Sequence, residues 1–215
     1  MTYLDLVNNV LKRLRERPVG TINESRYSTL IGVIINDAKE VVENAWGWSA
    51  LRTTLSATTE SGVFNYVLTG SQNKITILDV LNDTDDVFLR YLPAHEMTQY
   101  YLIGTPQTGS PIHYSFNGVD VNGDTQVDIY PKPDGAYNLR FNCILRNDDL
   151  VADADTLVIP ARPVELLAYA IAVEERGEDG GINPASAYAR AKNSLDDAIA
   201  LDATKHPEET LFYEV

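Results

Sequence analysis

The fold is decided by the stretch from Ile129 to Glu175, which reads IYPKPDGAYNLRFNCILR at 129–146 and VIPARPVELLAYAIAVEE at 158–175. Pro133-Asp134-Gly135 is typical of a turn, because Pro presets φ at about −65° and Gly accepts a positive φ. Apolar and polar residues alternate from Tyr137 to Arg146, which predicts a strand with one buried face. We therefore expect a hairpin whose other strand ends at Tyr130.

The second half of this stretch predicts a long helix that begins near Ala161. Pro160 and Pro163 suit the first turn of a helix, where a missing N–H does no harm. The residues from Val164 to Val173 are mostly apolar. A helix that is apolar around much of its circumference is buried on several sides. We expect the helices of the N-terminal segment to cover it.

Helical and strand patterns occupy separate parts of the chain. Apolar residues recur at helical spacing from Thr2 to Arg17, from about Ser25 to Ala45, and again after Pro184. From Leu51 onward the period changes to two, in about seven short segments divided by Gly, Ser, Asn and Asp. On the helices, charged residues are expected on the solvent side, among them Lys39, Glu43 and Asp202.

These patterns predict an α+β fold. The N- and C-terminal segments form one helical bundle, and an antiparallel β-sandwich or barrel is inserted between them. The expected boundaries are 1–50 and 151–203 for the bundle, 51–150 for the β insertion, and 204–215 for an extended C-terminal tail.

The charge of the chain limits its partners. Its 215 residues include 17 Lys and Arg against 31 Asp and Glu, a formal net charge of −14. Tight binding to nucleic-acid phosphates needs basic side chains that displace counterions, so sequence-specific DNA recognition is not expected. No run of about 18 apolar residues predicts a membrane span. The single cysteine, Cys143, is interpreted as a small core residue in a reducing compartment.

Motifs for catalysis or bound ions are incomplete. His95-Glu96 begins like a zinc-protease motif, but Gln99 stands where the second histidine belongs. The segment from Asp120 to Asp124 resembles part of a calcium loop, although a turn between two strands is the expected structure. We predict no catalytic residue, no metal, no cofactor and no enzyme. A catalytic site made of two carboxylates stays an open alternative, since a chain with 31 acidic residues always offers pairs of them.

The last residues of the sequence combine acidic and apolar side chains. His206-Pro207 is expected to end the last helix. We predict that the segment after it orders on assembly and anchors a partner surface through Leu211, Phe212, Tyr213 and Val215. A frayed terminus without function is the alternative interpretation.

The order of these elements resembles that of a known family. The resemblance is carried by YLDLV in the opening helix at 3–7, the second helix ending in Trp46-x-Trp48, YPKPDGAYNL at 130–139, and LVIP at 157–160 before an alanine-rich helix. Together these features resemble the head-to-tail adaptor proteins of short-tailed bacteriophages, also called tail tubular protein A or gatekeeper-type connectors.

This resemblance implies a structural virion protein of the neck or tail that is assembled in the host cytoplasm. It implies a homo-oligomeric ring, a dodecamer, that docks on the portal protein and carries a tail nozzle or tube protein. The genome passes through the ring at ejection without specific binding, because an acidic lumen repels phosphates.

Two other functions stay open at this point. One is a monomeric β-sandwich module of a phage tail that binds carbohydrate or protein. The rings of a bound carbohydrate would stack on exposed tyrosines of this module. The candidates are Tyr66, Tyr91, Tyr100, Tyr101 and Tyr114. The other is an enzyme that uses acidic residues.

Overall fold

The computed structural model describes residues 1–72, 74–103, 105–177 and 184–205. The helices are α1 (Tyr3–Arg13), α2 (Arg26–Ala45), α3 (Ala94–Leu102), α4 (Ala161–Arg176) and α5 (Pro184–Ala203). The strands are β1 (Arg52–Thr58), β2 (Asn65–Val67), β3 (Ile75–Asn82), β4 (Val87–Phe88), β5 (Arg90–Tyr91), β6 (His113–Val119), β7 (Thr125–Tyr130) and β8 (Asn138–Leu145). The predicted α+β fold is confirmed.

The chain forms two compact units. The helical unit consists of the described residues of Met1–Leu51 and Asp148–Val215, and it contains α1, α2, α4 and α5. The β unit consists of the described residues of Arg52–Asn147, and it contains all eight strands and α3.

Capping residues set where the first two helices begin. Thr2 Oγ1 accepts a hydrogen bond from Asp5 N at 3.2 Å, and the Asp5 carboxylate accepts one from Thr2 N. Ser25 and Ser28 form the equivalent pair at α2. Both pairs satisfy N–H groups that have no partner inside a helix. α1 ends earlier than the predicted Arg17, because Arg15 adopts a left-handed φ of 60°.

The long helix α4 packs against α1, α2 and α5, as its apolar sequence predicted. Its alanines at 168, 170 and 172 are at most 1% exposed, and their small side chains allow the other helices to come close. Backbone hydrogen bonds join Tyr3 N to Asp155 O at 2.7 Å and Leu157 N to Met1 O at 3.0 Å. The residues before α4 are therefore tied directly to the start of α1.

Gly32 in α2 leaves room for the side chain of Tyr3 in α1. A Cβ at Gly32 would lie 2.6 Å from the Tyr3 hydroxyl oxygen and 3.2 Å from Ile22 Cγ2. Overpacking costs about 1–3 kcal/mol, whereas alanine favours a helix over glycine by about 1 kcal/mol. We expect Gly32→Ala to lower the free energy of unfolding by about 1 kcal/mol in urea titrations. The loss should be smaller in a Tyr3→Phe background, and an equal loss in both would contradict this explanation.

The β unit is a sandwich of two four-stranded sheets, with strand orders β1-β8-β3-β4 and β2-β7-β6-β5. Its core takes fully buried side chains from both sheets, among them Phe141 of β8 and Val127 of β7. The predicted alternation in β8 holds for Leu139 and Phe141, which belong to this core, whereas Ile144 of the opposite face is also buried. Cys143 is fully buried, and burial raises the pKa of its thiol.

Strand pairing contradicts the predicted hairpin. β7 ends at Tyr130 and pairs with β2 and β6, whereas β8 begins at Asn138 and pairs with β1 and β3. The Pro133-Asp134-Gly135 turn therefore carries the chain from one sheet to the other. Prolines 131 and 133 have no N–H with which to continue a ladder. The residues between the strands are long enough to span the roughly 10 Å between packed sheets.

The segment from Val87 to Leu92 is also divided between the sheets. β4 pairs with β3 in one sheet, and β5 pairs with β6 in the other. Leu89 lies between them and is only 6% exposed. The β5–β6 pairing is parallel, so the insertion is not wholly antiparallel as predicted. A parallel pair needs a long crossover, and here the connection contains α3.

Candidate functional site

The predicted anchor residues Leu211, Phe212, Tyr213 and Val215 lie outside the described residues. The structure does describe the point from which their segment continues, which is Lys205 just after α5. The candidate site is therefore built from the end of α5 and from the exposed apolar and charged surfaces of each unit.

Asp202 holds the end of α5 against the segment that follows α2. Its carboxylate accepts hydrogen bonds from Ser49 N at 2.9 Å, from the Ser49 hydroxyl, and from Trp46 Nε1 at 3.2 Å. Lys205 Nζ lies 2.9 Å from Asp202 Oδ1. The prediction that Asp202 faces solvent was wrong, because it is only 5% exposed. Its position seven residues after Leu195, on the apolar face of α5, is the signal that could have placed it inside.

The surroundings of Asp202 favour its charged form. Burial raises its pKa, but the hydrogen bonds from Ser49 and the nearby Lys205 ammonium outweigh burial and lower the pKa to about 2. The carboxylate is therefore ionised at neutral pH. The hydrogen bonds that it accepts fix the position of the end of α5.

The outer face of α2 exposes apolar side chains. Leu30, Val33 and Val41 recur at helical spacing and are 38%, 54% and 53% exposed. Val41 also lines an apolar depression of about 360 Å³, together with side chains of α4 and α5 such as Leu167 and Tyr188. Exposed apolar surface of this kind is typical of protein–protein interfaces.

The tyrosines considered for sugar binding differ in exposure. Tyr91 and Tyr100 are 53% and 45% exposed. Tyr66 and Tyr101 are half-buried, and burial raises the pKa of both. Tyr114 was expected to be exposed, and that prediction was wrong, because Tyr114 belongs to the sandwich core. Only two of the five rings are open enough to stack on a sugar.

Tyr100 borders a depression of about 590 Å³ on the β unit. Its ring stacks on Tyr130, with 4.6 Å between the ring centroids. The incomplete zinc-protease motif lies here as well, with His95 and Glu96 in the lining beside Gln107. Among the residues that the structure describes, no group of three or more His, Cys, Asp or Glu side chains is placed to hold a metal ion.

The calcium-like segment forms a turn, as expected. Asp120 Oδ1 accepts hydrogen bonds from Asn122 N and Asp124 N, each at 2.8 Å. Asp124 accepts hydrogen bonds from Gln72 N at 2.9 Å and Gly70 N at 3.1 Å, and these bonds lower its pKa. Both carboxylates therefore stabilise the backbone of neighbouring turns.

The sequence from residue 1 to residue 209 matches the family model described as SU10 adaptor protein. The chain belongs to this family. The match includes the residues of both units, so the adaptor family accounts for the β insertion as well as the helices. No curated protein matches the chain.

Membership in the SU10 adaptor family gives the protein a structural role in a bacteriophage virion. An adaptor of this family associates with other virion components and is structural rather than catalytic. Within the part of the chain that the structure describes, no helix has both the length and the apolar composition to cross a membrane.

Proposed function

We propose that this adaptor protein forms a dodecameric ring between the portal protein and the nozzle or tube protein of a short-tailed bacteriophage, and that the genome passes through the ring. The observation that carries the proposal is the family match over residues 1–209. The ring assembles in the host cytoplasm and becomes the neck of the virion. The proposed role of the ring is structural, without catalysis, and needs no cofactor or metal.

The net charge of the chain supports passage of DNA without binding. Each copy carries a formal charge of −14. A ring of such copies repels the phosphates of a duplex, whereas tight binding requires clustered basic groups that displace counterions. DNA would then slide through the lumen.

Exposed apolar side chains on both units support contacts with other subunits. The helical unit presents the stripe of Leu30, Val33 and Val41, and the β unit presents Phe88 and Tyr91. A closed ring is built from heterologous contacts, in which each copy uses two different surfaces. Two separate apolar regions on one chain fit this requirement.

Electron microscopy of the protein alone and mixed with its cognate portal protein tests the proposal. We expect closed rings of twelve copies stacked on the portal. Since a template can be required for ring formation, the mixed sample is the decisive one. Single chains that leave the portal undecorated at micromolar concentrations would contradict the ring.

Deleting the residues from Glu208 to Val215 is expected to leave a folded chain that no longer forms rings. The physical reason is the loss of the apolar anchors Leu211, Phe212 and Tyr213. Circular dichroism checks the fold, and light scattering after size exclusion checks the assembly.

A matched variant separates the side chains from the backbone in that experiment. Replacing Leu211, Phe212, Tyr213 and Val215 by serine preserves the length and the charge of the segment, and it should abolish rings as the deletion does. Normal ring formation by either variant would contradict the hypothesis that these side chains anchor the segment.

The second candidate function is a monomeric carbohydrate- or protein-binding module of a phage tail. The observation in its favour is the exposed Tyr100 beside polar groups of the depression on the β unit. Aromatic faces with nearby hydrogen-bonding groups suit sugar rings. Saturable glycan binding by single chains, lost in Tyr100→Ala and kept in Tyr91→Ala, would favour this function over the ring.

A further inference from the structure

A groove on the helical unit gathers positive charge in an otherwise acidic chain. It lies between the start of α4 and the second half of α5 and has a volume of about 520 Å³. Arg13, Arg162 and Arg190 line it, with Asp197 as the carboxylate among the lining residues. Because the chain carries a net charge of −14, three arginines around one groove mark a place for an acidic ligand.

Two of these arginines have no acidic partner in the described ranges 1–72, 74–103, 105–177 and 184–205. Arg13 Nη2 lies 3.6 Å from Glu165 Oε2 and is thus already paired. Arg162 and Arg190 are exposed and form no ion pair with any residue of those ranges. Their guanidinium groups can each donate two parallel hydrogen bonds to an incoming carboxylate.

Most of the remaining groove lining is apolar, beside the polar side chains of Asn193 and Ser194. Pro160, Pro163 and Leu166 belong to α4 or immediately precede it, and Leu201 lies near the end of α5. Leu201 is 69% exposed, although leucine usually gains about 1.5–3 kcal/mol from full burial. A ligand that fits the groove therefore combines carboxylates with apolar side chains.

We propose that the groove of one copy binds the segment from Glu208 to Val215 of a neighbouring copy, and that this contact links the copies of the ring. The proposal rests on the proposed ring. The segment carries Glu208, Glu209 and Glu214 and no Lys or Arg. Its apolar residues are Leu211, Phe212, Tyr213 and Val215, so the segment offers both kinds of side chain that the groove accepts.

The length of the segment is sufficient to reach another copy. The ten residues from His206 to Val215 span up to about 33 Å when extended. The groove follows α5 from Arg190 to Leu201, which is about 17 Å of helix. Pro207 disfavours helical backbone at His206, so α5 is not expected to continue. Since the groove runs from Leu201 back toward the start of α5, a chain that continues forward from Lys205 moves away from its own groove, which favours a groove on another copy.

A charge-swap experiment in the full-length protein tests the proposal. One variant reverses the charge of the groove (Arg162→Glu/Arg190→Glu), and a second reverses the charge of the segment (Glu208→Arg/Glu209→Arg). We expect each variant alone to need at least ten times more protein than the wild type to decorate the cognate portal with rings. An equimolar mixture should restore wild-type assembly, because every groove then meets a segment of opposite charge on its neighbour.

Controls separate charge at the groove from charge in general. Arg17→Glu/Arg26→Glu makes the same change in charge at exposed positions of the helical unit that do not line the groove, and it should assemble as the wild type does. Thermal unfolding followed by circular dichroism verifies that each variant folds. If the reversed groove does not fold, Arg162→Gln/Arg190→Gln replaces it, paired with Glu208→Gln/Glu209→Gln in a double-mutant cycle that should show coupling.

The outcomes distinguish the possible occupants. If the mixture forms rings and each variant alone fails to do so, the neighbour's segment is supported as the occupant of the groove. Failure of the mixture while a single chain with all four substitutions assembles would assign the groove to its own segment and overturn the proposal. Loss of assembly that neither combination rescues would point to the portal or duplex DNA as the occupant, and it too would overturn the proposal. Absence of rings from the wild type with portal would instead contradict the proposed function itself.

Discussion

Lys39→Met is expected to lower the free energy of unfolding of the helical unit by about 3–5 kcal/mol. Lys39 and Glu43 are each 2% exposed in α2, with Lys39 Nζ 3.2 Å from Glu43 Oε2. The variant removes the Lys39 ammonium from beside a buried carboxylate, and breaking a buried ion pair by removing one member is costly. Urea unfolding followed by tryptophan fluorescence measures the loss, since Trp46 and Trp48 are the two tryptophans of the chain and lie in the helical unit.

The double variant Lys39→Met/Glu43→Leu should recover most of that stability. Replacing both members of a buried pair by apolar residues of similar volume is often neutral or stabilising, because neither charge then has to be desolvated. Lys12→Met, at an exposed position of α1, serves as the control and should change the unfolding midpoint little. A double variant that is less stable than Lys39→Met would contradict this explanation, because the Glu43 carboxylate would then stabilise the fold even without Lys39.

Asp202→Ala is expected to destabilise the helical unit by about 2–3 kcal/mol, because hydrogen bonds to a charged group contribute about 1.5–3 kcal/mol and their donors would be left unpaired. The donors are Ser49 N and Trp46 Nε1, which have the Asp202 carboxylate as their acceptor. The same measurement applies, with Asp196→Ala as an exposed control on the same helix. Equal midpoints for the two variants would contradict the structural role of Asp202.

The contribution of Asp202 should also depend on pH. Its folded-state pKa is lowered to about 2, below the ordinary value of 3.8. The stability that it contributes is therefore present above pH 4 and is lost as the pH falls toward 2, because the unfolded chain binds the proton first. The difference in unfolding midpoint between the wild type and Asp202→Asn should shrink between pH 6 and pH 2.5. A constant difference across that range would contradict the lowered pKa.

Much of the local structure could be predicted from sequence. The four main helices and the strands occur where the apolar periods change, and the start of α4 at Ala161 agrees with its prolines. The resemblance to adaptor proteins agrees with the family match. These features depend on neighbours within a few residues, so the pattern of the chain contains them.

Burial of charged side chains was predicted less well. Lys39 and Glu43 were expected on the solvent side of α2, and Asp202 on that of α5, yet all three are buried. Residue type alone indicated exposure, whereas Lys39 follows Ile31 and Ile35 at intervals of four residues and shares their face. Arg162 and Arg190 were not singled out, because nothing in their own segments indicates that one groove brings them together.

The sequence by itself determined the type and the approximate bounds of the elements, the acidic balance of the chain and its class of fold. Only the tertiary structure decided which strands pair and which charges lie inside. The Pro133-Asp134-Gly135 turn shows the reason, since its local chemistry specifies a change of direction but not the sheet that the next strand joins. That choice is made by packing between residues far apart in the chain, such as Val80 against β8 and Asp202 against Ser49, whose energies no local pattern contains.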